Sequence, residues 1–472
     1  MCATGELAER RTATVIFGLF HSASSYRVLA MVAAGGLPLA ATAPVPAVAQ
    51  IASPAEPMDM TQAVQAAVRA HPSIRGARAQ ERQAAEGVEA AKAGYRPQVT
   101  GGVESQINTY RNSSYDSRFV YTATLNASQM LYDFGKVAGA KRQAQAGVRA
   151  SEAQVELAMD EIIVRTAQAW VDARTQQRLV QIAREQLDAV TYIRGLVRER
   201  VEKGATSRSD LEQANSRLDS LQSLLLAAEA DAQRARLTLM HLTGQIAPVA
   251  IKGDIPAFLQ NEACEVTADA DTPAVRVAQA QLDGAQAQLD IAKAERLPTV
   301  SLDGSVGYAL TDGSRLYGEY RTTGQFGVNF SMPLYQGGAA GARERGAEYQ
   351  LRAYEDAVRQ ARLEERQGLA DARAQAAGWA SRAPVMETRV NSIDATRDLY
   401  RQQYLELGTR SLLDLLNAEQ EYYSARVDQA QGLYAQYRLA VQCLYHSDRL
   451  RSAFGVDQAS AEPAPDFVGP VE

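Results

Sequence analysis

The chain has 472 residues, of which 46% are hydrophobic and 22% are charged, and its formal net charge is −6 at pH 7. This composition excludes a chain that is disordered throughout, and a net negative charge without a Lys/Arg-rich block argues against nucleic-acid binding. The sequence contains neither a Cys/His cluster, which would indicate a metal site, nor a GxxxxGK[ST] loop, which would indicate a nucleotide site. We therefore expect a protein without a cofactor that is not an enzyme.

Residues 1–49 are predicted to be a secretory signal peptide. An uncharged apolar run follows Arg27 and ends at the small residues Ala47-Val48-Ala49, which is typical of cleavage after Ala49. A transmembrane anchor is the alternative, but the glycines and prolines of the run disfavour a spanning helix. The stretch before Arg27 is long for a signal, which leaves the translation start undefined. No later segment has the roughly 20 consecutive apolar residues of a membrane helix, so we expect an exported protein.

The rest of the chain repeats itself. Landmarks in the same order recur at an offset of about two hundred positions, which indicates a duplicated unit. The two units are predicted at 50–244 and 273–452, with an irregular equatorial linker at 245–272 and a disordered tail at 453–472. The matching landmarks are His71-Pro72 with Thr272-Pro273, Arg96-Pro97 with Leu297-Pro298, Leu131-Tyr132 with Leu334-Tyr335, and Gly204 and Asp210 with Gly408 and Asp414.

Each unit is predicted to contain a helix, two strands and a long helical hairpin. Strong helix formers dominate the helices, and alternating apolar and polar residues mark the strands. Apolar residues at heptad spacing, starting at Leu211 and at Leu413, predict the seam along which each hairpin packs. Each hairpin is predicted to fold back at a glycine, Gly204 or Gly408. The predicted ranges are helices 59–94 and 273–296, strands 97–110, 117–131, 298–311 and 319–334, and hairpins 137–243 and 338–450.

The alternating strands fit a lipid-facing barrel or a soluble sandwich, and alternation alone does not decide between them. Their length exceeds the roughly 9–11 residues that cross a bilayer as a tilted strand, and tyrosines concentrate around them, both of which favour a barrel. Val306 and Phe326 are then expected to face lipid, and Asp303 and Gln325 the lumen. Because a barrel needs at least about eight strands and this chain offers four, several copies are expected to share one barrel.

Six segments of the chain are distinctive: YRPQV (95–99), LYDFGK (131–136), GATSRSDLEQA (204–214), RLPTV (296–300), PLYQGG (333–338) and LGTRSLLDLLNAEQ (407–420). They resemble the TolC family of outer-membrane channel-tunnel proteins. The resemblance covers about residues 58–452 and implies a mainly α-helical protein with a membrane β-barrel, located in the bacterial outer membrane. It implies a homotrimer whose twelve-stranded barrel, surrounded by outer-membrane lipid, sits on an α-helical periplasmic tunnel. The implied partners are a periplasmic adaptor and an inner-membrane pump, either an ABC transporter or a proton-driven pump.

The resemblance also implies a periplasmic gate at the hairpin tips. Asp210 matches the gate aspartate, and Thr409 and Arg410 belong to the GTR segment that carries the gate arginine. Asp210 near a helix start could equally be a helix-capping residue.

An acidic selectivity ring is implied just inside this gate, and Asp414 matches one of its members. Two positions depart from the family pattern: Leu405 replaces the gate tyrosine, and Asn417 replaces the second acid of the ring. We therefore expect a less firmly closed entrance and a weaker ring.

The predicted function is a passive export duct that conducts cargo from the pump and adaptor to the exterior. The LYDFGK and PLYQGG segments, and the lack of a cysteine at the mature N-terminus, favour type I protein secretion over multidrug or small-molecule efflux. A non-channel periplasmic coiled-coil scaffold is the second alternative. The sequence leaves open the cargo, the pump class and the question whether Cys264 and Cys443 pair.

Overall fold

The computed structural model describes residues 57–107, 119–260, 263–265, 270–311 and 321–456. The predicted signal peptide, the strand-connecting loop at 111–117, most of the loop at 311–318, and residues 457–472 lie outside these ranges.

The described residues form long helices and one sheet. The longest helix has 67 residues, which corresponds to about 100 Å at 1.5 Å per residue. The helices are α1 (Met60–Ala70), α2 (Pro72–Lys92), α3 (Lys136–Glu202), α4 (Arg208–Thr243), α5 (Ala257–Gln260), α6 (Pro273–Ala294), α7 (Ala339–Gln402), α8 (Leu412–Tyr445) and α9 (Leu450–Ala453). The strands are β1 (Gln98–Ile107), β2 (Phe119–Tyr132), β3 (Thr299–Ala309) and β4 (Thr322–Ser331).

The repeated landmarks fall at equivalent structural positions. Pro72 and Pro273 begin α2 and α6, where the missing proline N–H costs no helical hydrogen bond. The first predicted helix, 59–94, is in fact two helices, because the chain is extended at His71 and a residue before proline disfavours the α conformation. Gly204 and Gly408 have φ values of +70° and +62°, the left-handed conformation that glycine adopts without steric cost.

The sheet has the order β1-β2-β3-β4, and all its neighbouring strands are antiparallel. Its register collects the apolar residues on one face: Leu125 lies opposite Val306, and Phe326 lies opposite Gly304 on that same face. Asp303 and Gln325 lie on the other face, as the alternation predicts. The strands β1 and β4 are the two edges of the sheet.

The hairpin helices form a layer in which the order of neighbours is α4-α3-α8-α7. The predicted seam of the first hairpin is buried or half-buried along its length. In the second hairpin the prediction is wrong at Leu413, which is exposed, because Leu412 and Leu415 take the buried positions. Among the described helices, none is long and apolar enough to cross a membrane.

The largest hydrophobic core joins α1, the middle of α3, the C-terminal half of α8 and the segment after it. Trp170 and Met60 are fully buried there. The prediction of a disordered tail from residue 453 is wrong for residues 453–456, because Phe454 and Val456 are buried in this core. The Phe454 ring packs edge-on against Phe258, and Gln65 Nε2 donates to the Phe454 carbonyl over 3.2 Å.

A disulfide joins the linker to α8. Cys264 and Cys443 are bonded, with their Cα atoms 5.0 Å apart, which answers the pairing question that the sequence leaves open. Arg373 of α7 donates from Nε to the Cys264 carbonyl over 2.7 Å. Leu369 and Ala372 of α7 pack around the sulfur atoms. The linker is therefore attached to both helices of the second hairpin.

Candidate functional site at the hairpin tips

The tip of the first hairpin is built by the start of α4. Ser207 is its N-cap, and the Ser207 hydroxyl accepts a hydrogen bond from the Asp210 backbone N–H over 3.2 Å. Asp210 is therefore not the capping side chain; its charge lies in the first helical turn, where it complements the helix dipole. The Asp210 carboxylate instead accepts a hydrogen bond from the Thr206 hydroxyl. This leaves the carboxylate in the first turn of α4, beside the fold-back at Gly204.

The tip of the second hairpin repeats this arrangement and adds a cation. Ser411 caps α8 by accepting from the Asp414 backbone N–H over 3.1 Å. Arg410 Nη1 lies 3.8 Å from Asp414 Oδ2, and Arg410 Nε donates to Gln403 Oε1 over 3.1 Å. The guanidinium also lies over the Tyr400 ring, 4.4 Å from its centroid. Within one protomer, the structure thus brings Arg410 to Asp414.

The other predicted residues lie close by on the second hairpin. Gly408 ends the turn, and the Thr409 N–H donates to the Gln403 carbonyl over 3.1 Å. Asn417 is exposed on α8, one turn after Asp414, so both side chains can belong to one surface. Leu405 is half-buried and packs with the apolar side chains between the hairpins.

Residues 403–407 form a π-helical turn, called here the π turn, between α7 and Gly408. Tyr404 in this turn is only 5% exposed, and burial raises the pKa of its phenol, so the hydroxyl stays protonated at neutral pH. Arg200, at the end of α3, donates from Nη1 to the Tyr404 and Leu405 carbonyls over 3.2 and 3.1 Å. Sequence reasoning missed both residues; the available signal was a tyrosine adjacent to the position where the family pattern has one.

A buried ionic cluster fixes the second hairpin above its tip. Glu419 of α8 is fully buried, and its carboxylate lies 3.0 Å from Arg401 Nη2 and 3.7 Å from Arg397 Nη1, both on α7. One helical turn further on, the Tyr423 hydroxyl donates to the Glu185 carbonyl of α3 over 3.0 Å, and burial raises the pKa of this phenol to about 12. These contacts join α8 to both neighbouring helices, so the tips are held by a rigid layer.

Within the described ranges, no group of His, Cys, Asp and Glu side chains has the composition to hold a metal ion. The tips instead combine two carboxylates, two guanidiniums and several hydroxyl and carbonyl groups near a pair of turns. Such groups can make and break hydrogen bonds between helices without covalent chemistry.

Comparisons with known proteins identify the family and support the fold. Residues 63–245 and 266–446 match the family described as outer membrane efflux protein. The chain belongs to this family. It is thus an outer-membrane protein related to TolC, as the sequence resemblance predicts.

Individual relatives are distant but cover most of the chain. The outer membrane efflux protein BepC of Brucella suis is 24% identical over 78% of this chain and 80% of its own length. The alkaline protease secretion protein AprF of Pseudomonas aeruginosa is 25% identical over 68% of this chain and 67% of its own length. The crystal structure of the outer membrane protein VceC from Vibrio cholerae has a TM-score of 0.70 and 18% identity, covering 82% of this chain and 95% of VceC. This last likeness concerns the fold.

Proposed function

We propose that the protein is a passive export duct in which three copies share one twelve-stranded barrel. The observation that carries the proposal is a four-stranded sheet with one apolar face, whose two edge strands have no further partner among the described residues. In lipid, an open edge would leave its N–H and C=O groups without hydrogen-bond partners, so a sheet must close on itself to span the bilayer. Pairing β4 of one copy with β1 of the next closes the sheet and brings the strand number above the minimum of about eight.

The two faces of the sheet support this assignment. Phe326 is 80% exposed in the protomer, and it shares its face with Val306, so this face needs an apolar surrounding. On the opposite face, the Asp303 carboxylate accepts hydrogen bonds from the Ser128 and Ser301 hydroxyls over 2.5 and 2.8 Å. A face with carboxylate and hydroxyl groups suits a water-filled lumen.

The hairpins are the proposed tunnel. Helices of 67 and 64 residues are about 100 Å long, so they would extend the duct far from the membrane. An adaptor and an inner-membrane pump, supplied by other chains, would dock at the tips and deliver the cargo.

Type I protein secretion is the proposed role, because AprF is a protein for the secretion of alkaline protease. Small-molecule efflux is the second candidate, favoured by the likeness to the efflux protein BepC.

Neighbouring residues on β4 test the barrel. Phe326→Arg places a charge on the proposed lipid face, which costs roughly 2–4 kcal/mol per copy at mid-bilayer, whereas Gln325→Arg places the same charge in the lumen. We expect Phe326→Arg to reduce trimer in outer-membrane fractions severalfold, with Gln325→Arg close to wild type. Equal trimer yields for the two variants would contradict a lipid-spanning sheet.

The proposed gate lies where the tips of three protomers converge. Asp210 of one protomer would meet Arg410 of the next, each exposed pair contributing about 0.2–1 kcal/mol, with Asp414 forming a cation-preferring ring just inside. Because Asn417 carries no charge, Asp414 alone supplies this ring.

Single-channel recordings in planar bilayers test the gate. We expect the double variant Asp210→Ala/Arg410→Ser to raise conductance without changing trimer yield. We expect Asp414→Ala to weaken the block by millimolar divalent cations. Unchanged conductance and unchanged block in assembled trimers would rule out these assignments.

A further inference from the structure

A groove of about 520 Å³ lies between α7 and α8 of the second hairpin. Its walls include the apolar side chains of Trp379, Pro384 and Met386 on α7 and of Leu433 on α8. Leu433 is 46% exposed, and Trp379 is half-buried, so both keep apolar surface in contact with water. A concave apolar surface of this size is typical of a binding site.

Gly432 allows the indole ring of Trp379 to lie directly against α8. A Cβ atom at position 432 would lie 2.9 Å from Trp379 Cζ3 and 3.2 Å from Met386 Sδ, which is closer than such atoms pack. Glycine inside a helix costs about 1 kcal/mol relative to alanine, and the close approach of the ring explains its presence here. The groove is therefore shaped by a definite packing of α7 against α8.

The rim of the groove is mainly basic. Arg178 of α3 and Arg426 of α8 line it together with Glu387, and the Arg382 guanidinium lies over the indole ring, 4.3 Å from its centroid. Arg426 is paired with Glu185 over 2.5 Å, whereas neither Arg178 nor Arg382 forms an ion pair in the described part of the chain. A segment with an apolar ring beside a carboxylate would therefore complement this groove.

Residues 457–472, called here the C-terminal tail, carry that combination. The tail contains four acidic residues and no Lys, Arg or His, and its single aromatic residue, Phe467, directly follows Asp466. Three of its residues are prolines, and proline restricts the backbone and favours an extended chain. A restricted chain loses less conformational entropy when it binds.

The tail begins close to the groove. Val456, the residue before it, is buried in the largest core, and Tyr434 packs against that core while it also lines the groove. The residues from Val456 to Phe467 can span up to about 36 Å when extended, at about 3.3 Å per residue. The tail is therefore long enough to reach the groove of its own protomer.

We propose that the C-terminal tail folds back onto the groove between α7 and α8 of the same chain. The Phe467 ring packs against Trp379 and Leu433, and the Asp466 carboxylate pairs with Arg178. The bound tail covers the apolar walls and connects the segment after α8 to α7. This inference is independent of the proposed export duct, because it uses only contacts within one chain.

Acrylamide quenching of tryptophan fluorescence, measured on the purified full chain in detergent, tests the docking. The chain has two tryptophans, and Trp170 is fully buried, so quenching reports on Trp379. We expect Phe467→Ser to raise the quenching constant at least twofold, because the indole loses its cover. Asp466→Asn should give a smaller rise. The matched control Val471→Ser, on the same tail, should leave quenching unchanged.

Two further measurements make the test specific. A synthetic peptide of residues 457–472, added to the Phe467→Ser protein, should restore protection, and the same peptide carrying Phe467→Ser should not. In a Trp379→Phe background, Phe467→Ser should have no effect on fluorescence quenching. Equal quenching of wild type and Phe467→Ser would overturn the proposal and, if quenching is low in both, would assign the groove to a second copy of the chain. An effect of Phe467→Ser that persists without Trp379 would also overturn it.

Discussion

The Cys264–Cys443 disulfide closes a loop across almost the whole second unit, since the two cysteines are 179 positions apart in sequence. In the chain-entropy treatment, a cross-link of this span lowers the entropy of the unfolded chain enough to stabilise the folded state by at most about 5 kcal/mol. Breaking the bond should also release the linker from α8, where Leu369 and Ala372 of α7 pack around the sulfur atoms. We therefore predict that Cys264→Ser lowers the stability of the helical part by about 2–5 kcal/mol.

Urea titration of detergent-solubilised trimer, followed by circular dichroism at 222 nm, measures the effect. Cys264 is the better site for the change because it is only half-buried, whereas Cys443 is fully buried and a serine there would bury a hydroxyl. Wild-type protein treated with reductant should unfold at the same urea concentration as Cys264→Ser. Reductant should have no effect on the variant. An unchanged wild-type midpoint, when thiol labelling shows two free thiols per chain, would refute the reasoning.

Three further predictions concern single carboxyl groups, measured by urea unfolding. Burial raises the pKa of Asp160 to about 7 from about 3.8, so the contribution of Asp160 to stability falls as the pH rises between these two values, by at most about 1.4 kcal/mol per pH unit. Asp160→Asn should remove this pH dependence, and an identical pH dependence in the variant would contradict the assignment. The Asp133 carboxylate accepts hydrogen bonds from the Gly135 and Val137 N–H groups at the start of α3, so Asp133→Ala should lower stability by about 1–2 kcal/mol. Gln336→Ala, at the equivalent but exposed position, should lower stability by less than about 0.5 kcal/mol. Equal losses would count against the capping role of Asp133. Glu419→Gln should lower stability by about 3–5 kcal/mol, because it leaves two arginines facing an uncharged group. Glu421→Gln, at an exposed position, should leave stability nearly unchanged. Unchanged stability in Glu419→Gln would show that the cluster does not stabilise the hairpin.

Local patterns predicted the features that depend on neighbours in sequence. The strand faces follow from period-two alternation, and the register places Val306 and Phe326 together as that alternation requires. The fold-back points follow from glycine, since Gly204 and Gly408 both have positive φ.

Features that depend on distant parts of the chain could not be predicted in the same way. The burial of Phe454 needs Phe258 as a partner, and the cysteine pair needs α8 beside the linker. Neither proximity is encoded in a local period. The break at His71 is different, because it follows from a local signal: the residue before a proline disfavours the α conformation, and Pro72 follows His71.

The candidate site also combines features that local sequence predicts with features that depend on distant parts of the chain. The sequence predicts the tips because each contains a glycine followed by an aspartate at matching spacing, and the structure adds Ser207 and Ser411 in the same capping role. The contact of Arg200 with the π turn was not predictable, because it joins residues about two hundred positions apart. A comparison at one sequence position, such as the departure at Leu405, therefore describes a site less well than its three-dimensional surroundings.

The first and last described helices share one core, which has a consequence for folding. The contact between Gln65 and Phe454 joins residues 389 positions apart, and the core around Met60 and Trp170 is incomplete without the segment after α8. Pairings this distant form slowly, because loop closure must precede any gain from the contact. A nascent chain therefore cannot complete this core until nearly all of it has been synthesised. Until then, the apolar side chains of the N-terminal part of this core stay without the partners that bury them.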